Sequence, residues 1–410
     1  MRYFTLLFIN MVLFSFTVQS QVTDSVYMGS GYENDVYYSM DNGMYSMEDS
    51  QEWDIAFRTE PFSSAIFIND GNGAVLKTYP NGDTADWASV DTAGFSQWPG
   101  MYNHENDWSI SAFERHALGH PDYGWGTYDM TTHNVTGDSL FVLKLTDGTY
   151  KKVWIEQKVS TQNMYYFRHA DLDGSNEAEV ELDVNPYTEK YHIYYSIADD
   201  EVVDREPKKS EWDIVFSRYV SLINGETPYI VAGVISNLNT PIAEYAPVSP
   251  DFTEWQTADF DTSKNVIGYD WKEFDMGTFT YTVDDSLVYF IESQEGSIYK
   301  LRFTAFEGSS TGKVVFEKEQ VSTTNVEELA GAEENRLKVY PNPATTFLNV
   351  ELPGTDEAQV WLYDMTGQLV RTGKLTDQNY RTDVSGLHKG VYVLRIKAGE
   401  KVISQKVSVR

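Results

Sequence analysis

The 410 residues carry 62 Asp and Glu against 31 Lys and Arg, a net charge of −31, with 28 Tyr, 10 Trp and no Cys. This excess of negative charge repels phosphate backbones and anionic headgroups, which argues against nucleic acid and acidic membrane surfaces as partners. The absence of cysteine excludes disulfides, thiolate metal sites, iron–sulfur clusters and cysteine nucleophiles, and a chain this long divides into several domains.

In chain order, Met1 and Arg2 precede YFTLLFINMVLFSF and then TVQSQ, the charge, apolar core and small-residue order of a secretory signal peptide. Residues 1–20 are expected to be removed after Ser20. A membrane span needs about 20 apolar residues, and this shorter run is interrupted by Asn10. No transmembrane segment is expected after cleavage.

The next 300 or so residues contain one pattern twice. YYSMDNG from Tyr37 and EWDIAFR from Glu52 recur as YYSIADD from Tyr194 and EWDIVFSR from Glu211. YGWGTYDM from Tyr123 recurs as YDWKEFDM from Tyr269, and GDSLFVLKLTDGTYKKVWI from Gly137 as DDSLVYFIESQEGSIYKLRF from Asp284. Four blocks in the same order, at offsets of 146 to 159 residues, predict two homologous domains at 21–170 and 171–322. WDIAF and WDIVF alternate bulky and small or polar positions, and DG or EG supplies hairpin turns. The expected fold class is all-β: two antiparallel β-sandwich-like domains with loops at their ends.

Several residues in this region could carry chemistry. The stretch NHENDWSISAFERHALGHPDYGW holds His104, His116 and His120. His116 and His120 would share a face if ERHAL formed a helix, giving a ligand pair for haem iron or a divalent metal; the same histidines also read as solvated loop residues. The Trp- and Tyr-rich loop from Gly94 to Trp108 would suit stacking on porphyrin or sugar rings. Acidic residues crowd Asp171–Asp183, where weak calcium binding competes with a polar junction leading into the first strand of the second domain. The Gly at the fourth position of this loop departs from the EF-hand pattern. Asp54 and Asp213 occupy the same position of the two WDI blocks, which duplication explains as a hydrogen-bonded turn anchor better than as a catalytic acid pair. No GxSxG, phosphate-loop or dinucleotide fingerprint occurs, and no enzyme activity is expected.

Beyond a polar linker at 323–335 the composition changes sign. Residues 335–410 hold 11 Lys and Arg against 7 Asp and Glu, whereas residues 21–334 hold 19 against 55. Short alternating runs separated by Pro, Gly and Asp predict a small immunoglobulin-like β-sandwich at 336–410.

VYPNPATTFLNV, LYDMTGQLV and DVSGLHKGVYVLRIKAGEKVISQKVSVR resemble the type A C-terminal sorting domain of the Bacteroidetes type IX secretion system. The resemblance implies a Gram-negative bacterium, export through the periplasm, the type IX machinery as partner of residues 336–410, and an extracellular or outer-surface location. WDIVFSRY followed by an NG loop, WKEFDMG, IYKLRFTAF and GKVVFEKEQV is similar to the HmuY-type haem-binding proteins of Bacteroidetes, and the first repeat shares the pattern more weakly. That resemblance implies an all-β protein that takes up haem outside the cell and hands it to an outer-membrane receptor. The stretch that carries one axial His in those proteins matches WKEFDMG, where Met276 stands, and Met130 is its equivalent in the first repeat. Methionine is a competent axial ligand, and it is equally an adaptable core filler. The expected function is a secreted, non-enzymatic haem- or porphyrin-binding protein, with Met276, Met130, His116 and His120 as candidate ligands. The alternative is a surface interaction or glycan-binding protein without haem activity.

Overall fold

The computed structural model describes residues 21–323 except 224, 226 and 239, and residues 337–410 except 354, 365–368 and 399–400. The expected signal peptide and nearly all of the expected linker lie outside the described residues. The chain divides into two compact units, the first ending at Ser322 and the second spanning Thr323–Arg410.

The first unit is almost entirely antiparallel β and contains two cores. In the first, a sheet of Glu201–Val203, His192–Ser196, Ile55–Arg58 and Ile66–Ile68 faces a larger sheet that includes Phe141–Lys144, Tyr150–Val159, Met164–Asp171 and Ala178–Asp183. Alternate residues of each strand point inward. Phe57 therefore meets Tyr165 and Phe167 at ring distances of 4.8 and 5.1 Å, and Phe167 meets Tyr195 at 5.1 Å. In the second, Thr227–Ser236, Ile214–Ile223, Asn34–Ser39 and Gly43–Asp49 face Val22–Tyr27, Lys313–Thr323, Ser297–Phe306, Val288–Glu292 and Ile242–Tyr245. Tyr38, Phe216 and Phe303 converge on Phe316 at 5.2, 5.8 and 6.2 Å.

The strand pairing crosses the 170/171 boundary in both directions. Val22–Tyr27 pairs with the last strand of the second repeat, Val22 opposite Lys318, and Tyr37 lies opposite Val215. Conversely Ala178 lies opposite His169, and Tyr195 opposite Ile55. Ala178–Asp183 is thus the closing strand of the first sandwich and not the opening strand of the second. Chain entropy explains the choice. Ala178–Asp183 follows its partner after a six-residue turn, whereas 129 residues separate Asp183 from Lys313. Closing the longer loop costs roughly 3 kcal/mol more on logarithmic loop-entropy scaling. Strand Lys313–Thr323 is then left for Val22–Tyr27, so each sandwich is completed by the opening strands of the other repeat.

The two WDI aspartates fasten this exchange. Asp213 accepts hydrogen bonds from the Met40 and Gln294 amides, both at 2.6 Å. Asp54 accepts from the Ile197 and Ala198 amides at 2.8 and 3.0 Å. Each carboxylate caps the turn that ends the YYS strand of the other repeat, the anchoring role expected from the sequence. The neighbouring tryptophans repeat the relation, Trp53 lying edge-on to Tyr194 at 5.0 Å and Trp212 edge-on to Tyr37 at 5.1 Å. The sandwiches touch through backbone as well: a Cβ on Gly71 would lie 2.1 Å from the Arg218 carbonyl oxygen, so only glycine fits there.

The second unit is a seven-stranded antiparallel sheet in the order 338–340, 347–351, 379–383, 369–376, 357–364, 390–398, 401–409. Leu348, Val350, Leu362, Leu394, Ile396 and Val407 fill its core. It is one continuous curled sheet, with a parallel bridge from Ala344 to Val409 near its edges.

Two expectations follow. A chain lacking residues 21–50 loses three strands of the second sandwich, and its thermal transition should broaden or disappear; adding a peptide of residues 21–50 should restore it, and an unchanged melt without the peptide would contradict the exchange. Burial pushes the Asp213 carboxyl up to about 6 despite its two amide donors, above an unfolded value of about 3.9. The native state therefore takes up this proton first, and the stability gained is full below about pH 4 and lost as pH rises through about 6. Asp213→Asn should cost about 1–3 kcal/mol at neutral pH by leaving a buried amide unpaired and should flatten this part of the stability profile, measured by urea unfolding at a series of pH values.

Candidate functional site

The candidate ligands on the two hairpin tips are exposed. Strands Gly126–Tyr128 and Val135–Gly137 end in a tip where Asp129 accepts from the Thr131 and Thr132 amides at 2.6 and 3.0 Å. Met130 follows with 70% of its surface exposed, and His133 takes a left-handed conformation with φ 61°. The second repeat rebuilds the same tip between Lys272–Asp275 and Thr280–Val283. There Asp275 accepts from the Gly277 amide at 2.7 Å, Met276 is 72% exposed and Phe279 has φ 56°. Neither methionine fills a core.

His120 reaches Met130, its Nε2 lying 3.1 Å from the thioether sulfur. Its ring stands 5.3 Å from Tyr128, which contacts Tyr123 at 5.7 Å and brings its hydroxyl to 2.5 Å from His133 Nδ1. Phe62, 73% exposed, meets His133 edge-on at 6.4 Å. The tip around Met276 has aromatic neighbours but no histidine: Phe274 contacts Phe279 at 6.4 Å and Tyr281 at 5.0 Å.

His116 does not join His120. The capping box of Ser111 and Glu114 supports a single turn, Ala112–Glu114, with Arg115 as its C-cap. The chain then reverses at Gly119, φ 95°, so the helix that would align the two histidines is not formed. The aromatic loop also differs from expectation. Phe95 packs against Trp98 and Tyr150 at 5.4 and 5.1 Å, and Lys77 donates to the Phe95 and Trp98 carbonyls at 2.7 and 2.8 Å. This part of the loop is folded onto the sheet. In the acidic stretch from Asp171, the Asp171 carboxylate binds Lys151 at 2.9 Å and accepts from Asn176 at 2.6 Å, and Asp173 accepts from the Ser175 amide at 2.9 Å. These acids shape a β-hairpin turn, and among the described residues no group of three or more His, Asp or Glu is arranged for a metal ion.

A second site was not anticipated from the sequence. Between the two sandwiches lies a partly open cavity of about 100 Å³ lined by residues of both. Asp35 and Arg205 pair in it at 2.9 Å, and Arg205 also binds Glu52 at 2.8 Å. His192 is 5% exposed and its Nδ1 lies 2.9 Å from Glu206, which also accepts from the Tyr194 hydroxyl and Tyr191 amide, each at 2.8 Å. Burial outweighs Glu206 and lowers the His192 pKa, so the imidazole is neutral and its Nδ1–H donates to the Glu206 carboxylate. The opposite nitrogen, Nε2, is buried without a hydrogen bond. Trp108 crosses from the first sandwich, donating to the Ser236 carbonyl at 3.0 Å. The one available signal was the alignment of His192 with Asp35, ionisable residues in otherwise apolar strands, HIYYS and DVYYS.

Comparison with known proteins bears on both units. Residues 188–317 match the family model of the HmuY protein, and residues 338–410 match that of the secretion system C-terminal sorting domain. The first match begins in the turn before His192–Ser196, a strand of the first sandwich, and continues through the second. Beta-agarase D of Zobellia galactanivorans is 38% identical over 80 residues, 19% of this chain and 16% of the agarase. The chain thus spans about one sixth of that relative's length, and the agarase's activity is not carried over. A solved structure titled biofilm associated protein, BSP domain, aligns with 96% of this chain and 81% of its own at 9% identity, with a TM-score of 0.17, too low to carry fold or function. Neither matched family model is that of an enzyme. The chain is accordingly a secreted or cell-surface protein with an HmuY domain at 188–317 and a C-terminal sorting domain at 338–410.

Proposed function

We propose that this is a non-enzymatic ligand-binding protein that engages haem or a related porphyrin outside the cell through its exposed hairpin tips, for handover to an outer-membrane receptor. The observation that carries the reading is the approach of His120 Nε2 to Met130 Sδ, 3.1 Å apart, on an exposed aromatic rim. Imidazole and thioether are both axial donors to haem iron, so the residue types fit. His120 and Met130 would hold the group, and the exposed His120 ring, now against the Met130 sulfur, would have to turn outward to admit it. The aromatic rings beside it supply the flat apolar wall such a ligand requires. The bound group would bring the iron chemistry; these residues would hold and orient it.

The repeated blocks and the matching tips support reading the first sandwich as a second copy of the HmuY-type domain, with Met130 and Met276 in equivalent places. Residues 336–410 would then serve passage through the type IX machinery. The tip at Met276, which pairs a methionine with Phe274, Phe279 and Tyr281 and has no imidazole, favours a second reading for that tip alone: an aromatic surface for a glycan or protein.

Titration of the purified protein with haemin should produce a Soret shift. His120→Ala and Met130→Ala should each weaken binding by about tenfold or more, the loss expected for one metal-coordinating contact, while Met276→Ala reports separately on the second tip. An unchanged spectrum, or a shift indifferent to all three substitutions, would sink the assignment.

A further inference from the structure

The inter-sandwich cavity is lined by two carboxylates, Asp35 and Asp70, and by three cations, Arg205, Lys264 and Arg218, of which only Arg205 forms an ion pair among the described residues. Arg205 is fully engaged by Asp35 and Glu52. Two other cations line the same cavity, Lys264 and Arg218, and among the described residues neither has a carboxylate within ion-pair distance. Lys264 is 4% exposed and lies 4.9 Å from the Trp108 ring centre. Arg218 is half-buried, and its hydrogen bond is to the neutral Asn72 side chain at 3.2 Å. A buried charge without a partner is costly. Asp70, Asp107 and Glu105 act on Lys264 only from beyond ion-pair distance.

The remaining wall points the same way. Trp53 Nε1 and the Tyr219 hydroxyl, both on residues lining the cavity, are buried without hydrogen-bond partners. Indole nitrogen can only donate, and a tyrosine hydroxyl can donate as readily as accept. Lysine, guanidinium, indole and phenol together seek acceptor oxygens on one small ligand. Phe67, Val215 and Ile235 line another part of the cavity and offer an apolar surface. Its volume of about 100 Å³ is far below the about 300–1,000 Å³ of a drug-sized pocket. A porphyrin or a sugar polymer is too large to be enclosed there.

We propose that this cavity is a binding site for a short-chain carboxylate, its carboxylate held by Lys264 and Arg218 and its alkyl end set against Phe67 and Val215. Because the lining comes from both sandwiches, the ligand would brace one against the other. Burial lowers the Lys264 pKa to about 8 in the presence of Asp70, Asp107 and Glu105, so the ammonium is charged at neutral pH and available to an anion.

The test is thermal melting and calorimetric titration of the full secreted chain with sodium acetate and sodium propionate, against sodium chloride at equal ionic strength and against phosphate. The carboxylates should raise the melting temperature and give a saturable heat, and chloride should do neither. Lys264→Met should lose the carboxylate-dependent rise. Arg218→Gln, which keeps a donor for Asn72, should weaken binding about tenfold or more and guards against misfolding of the first variant. Haemin binding should be the same in both variants, so a failure here and a failure at the hairpin tips are separable. Equal carboxylate effects in parent and variants, no carboxylate effect in the parent, or a response to phosphate alone would each overturn the proposal.

Discussion

The hydrogen bonds from the Met40, Ile197 and Ala198 amides to Asp213 and Asp54 hold together segments far apart in the chain, and the rest of the first unit depends on them. A buried carboxylate is tolerated only when hydrogen-bonded, and each of these acids finds at least one donor on the turn that follows a strand of the other repeat. The exchange thereby makes one cooperative body out of two duplicated segments. Neither sandwich has a complete set of strands without residues from the other repeat.

This arrangement also determines what the surfaces between and beyond the sandwiches can do. With opening strands exchanged, Asp35 and His192, which occupy equivalent places in the repeats, face one cavity. Their surroundings have diverged: Asp35 pairs with Arg205, whereas His192 leans on Glu206. Duplication supplied two copies of a strand position and exchange put them at a common interface, where ionisable groups could be fixed by partners from several strands. The hairpin tips lie outside this interface. They keep the same backbone design in both copies, an aspartate holding the turn and a left-handed residue closing it, and differ in side chains, with His133 in one and Phe279 in the other.

The fold class was readable because a period of two, hairpin glycines and β-branched or aromatic runs are local signals that need no knowledge of the partner strand. The role of Asp54 and Asp213 was readable for the same reason, since a turn anchor shows up as an acid at a fixed position of a repeated strand. The partner strands were not readable. YYSMDNG and YYSIADD present nearly the same pattern to WDIAF and WDIVF, and register is specified by that pattern, so both pairings satisfy the local code. Spacing to the next strand, through the loop entropy of the turn at 172–177, broke the tie. The i, i+4 reading of His116 and His120 failed because spacing implies a shared face only on a helix, and Gly119 turns the chain before one can form.

By itself the sequence determined the β character, the duplication, the change of charge near residue 335 and the residue types available as ligands, because each resides in local pattern or composition. Only the tertiary structure decided that the opening strands are exchanged, that His120 meets Met130 while Met276 stands without a histidine, and that Lys264 and Arg218 share a cavity with no carboxylate at ion-pair distance from either among the described residues. Those facts depend on which of two equivalent strands fills a position and on how the folded chain brings side chains together, and no period or motif in the chain encodes either.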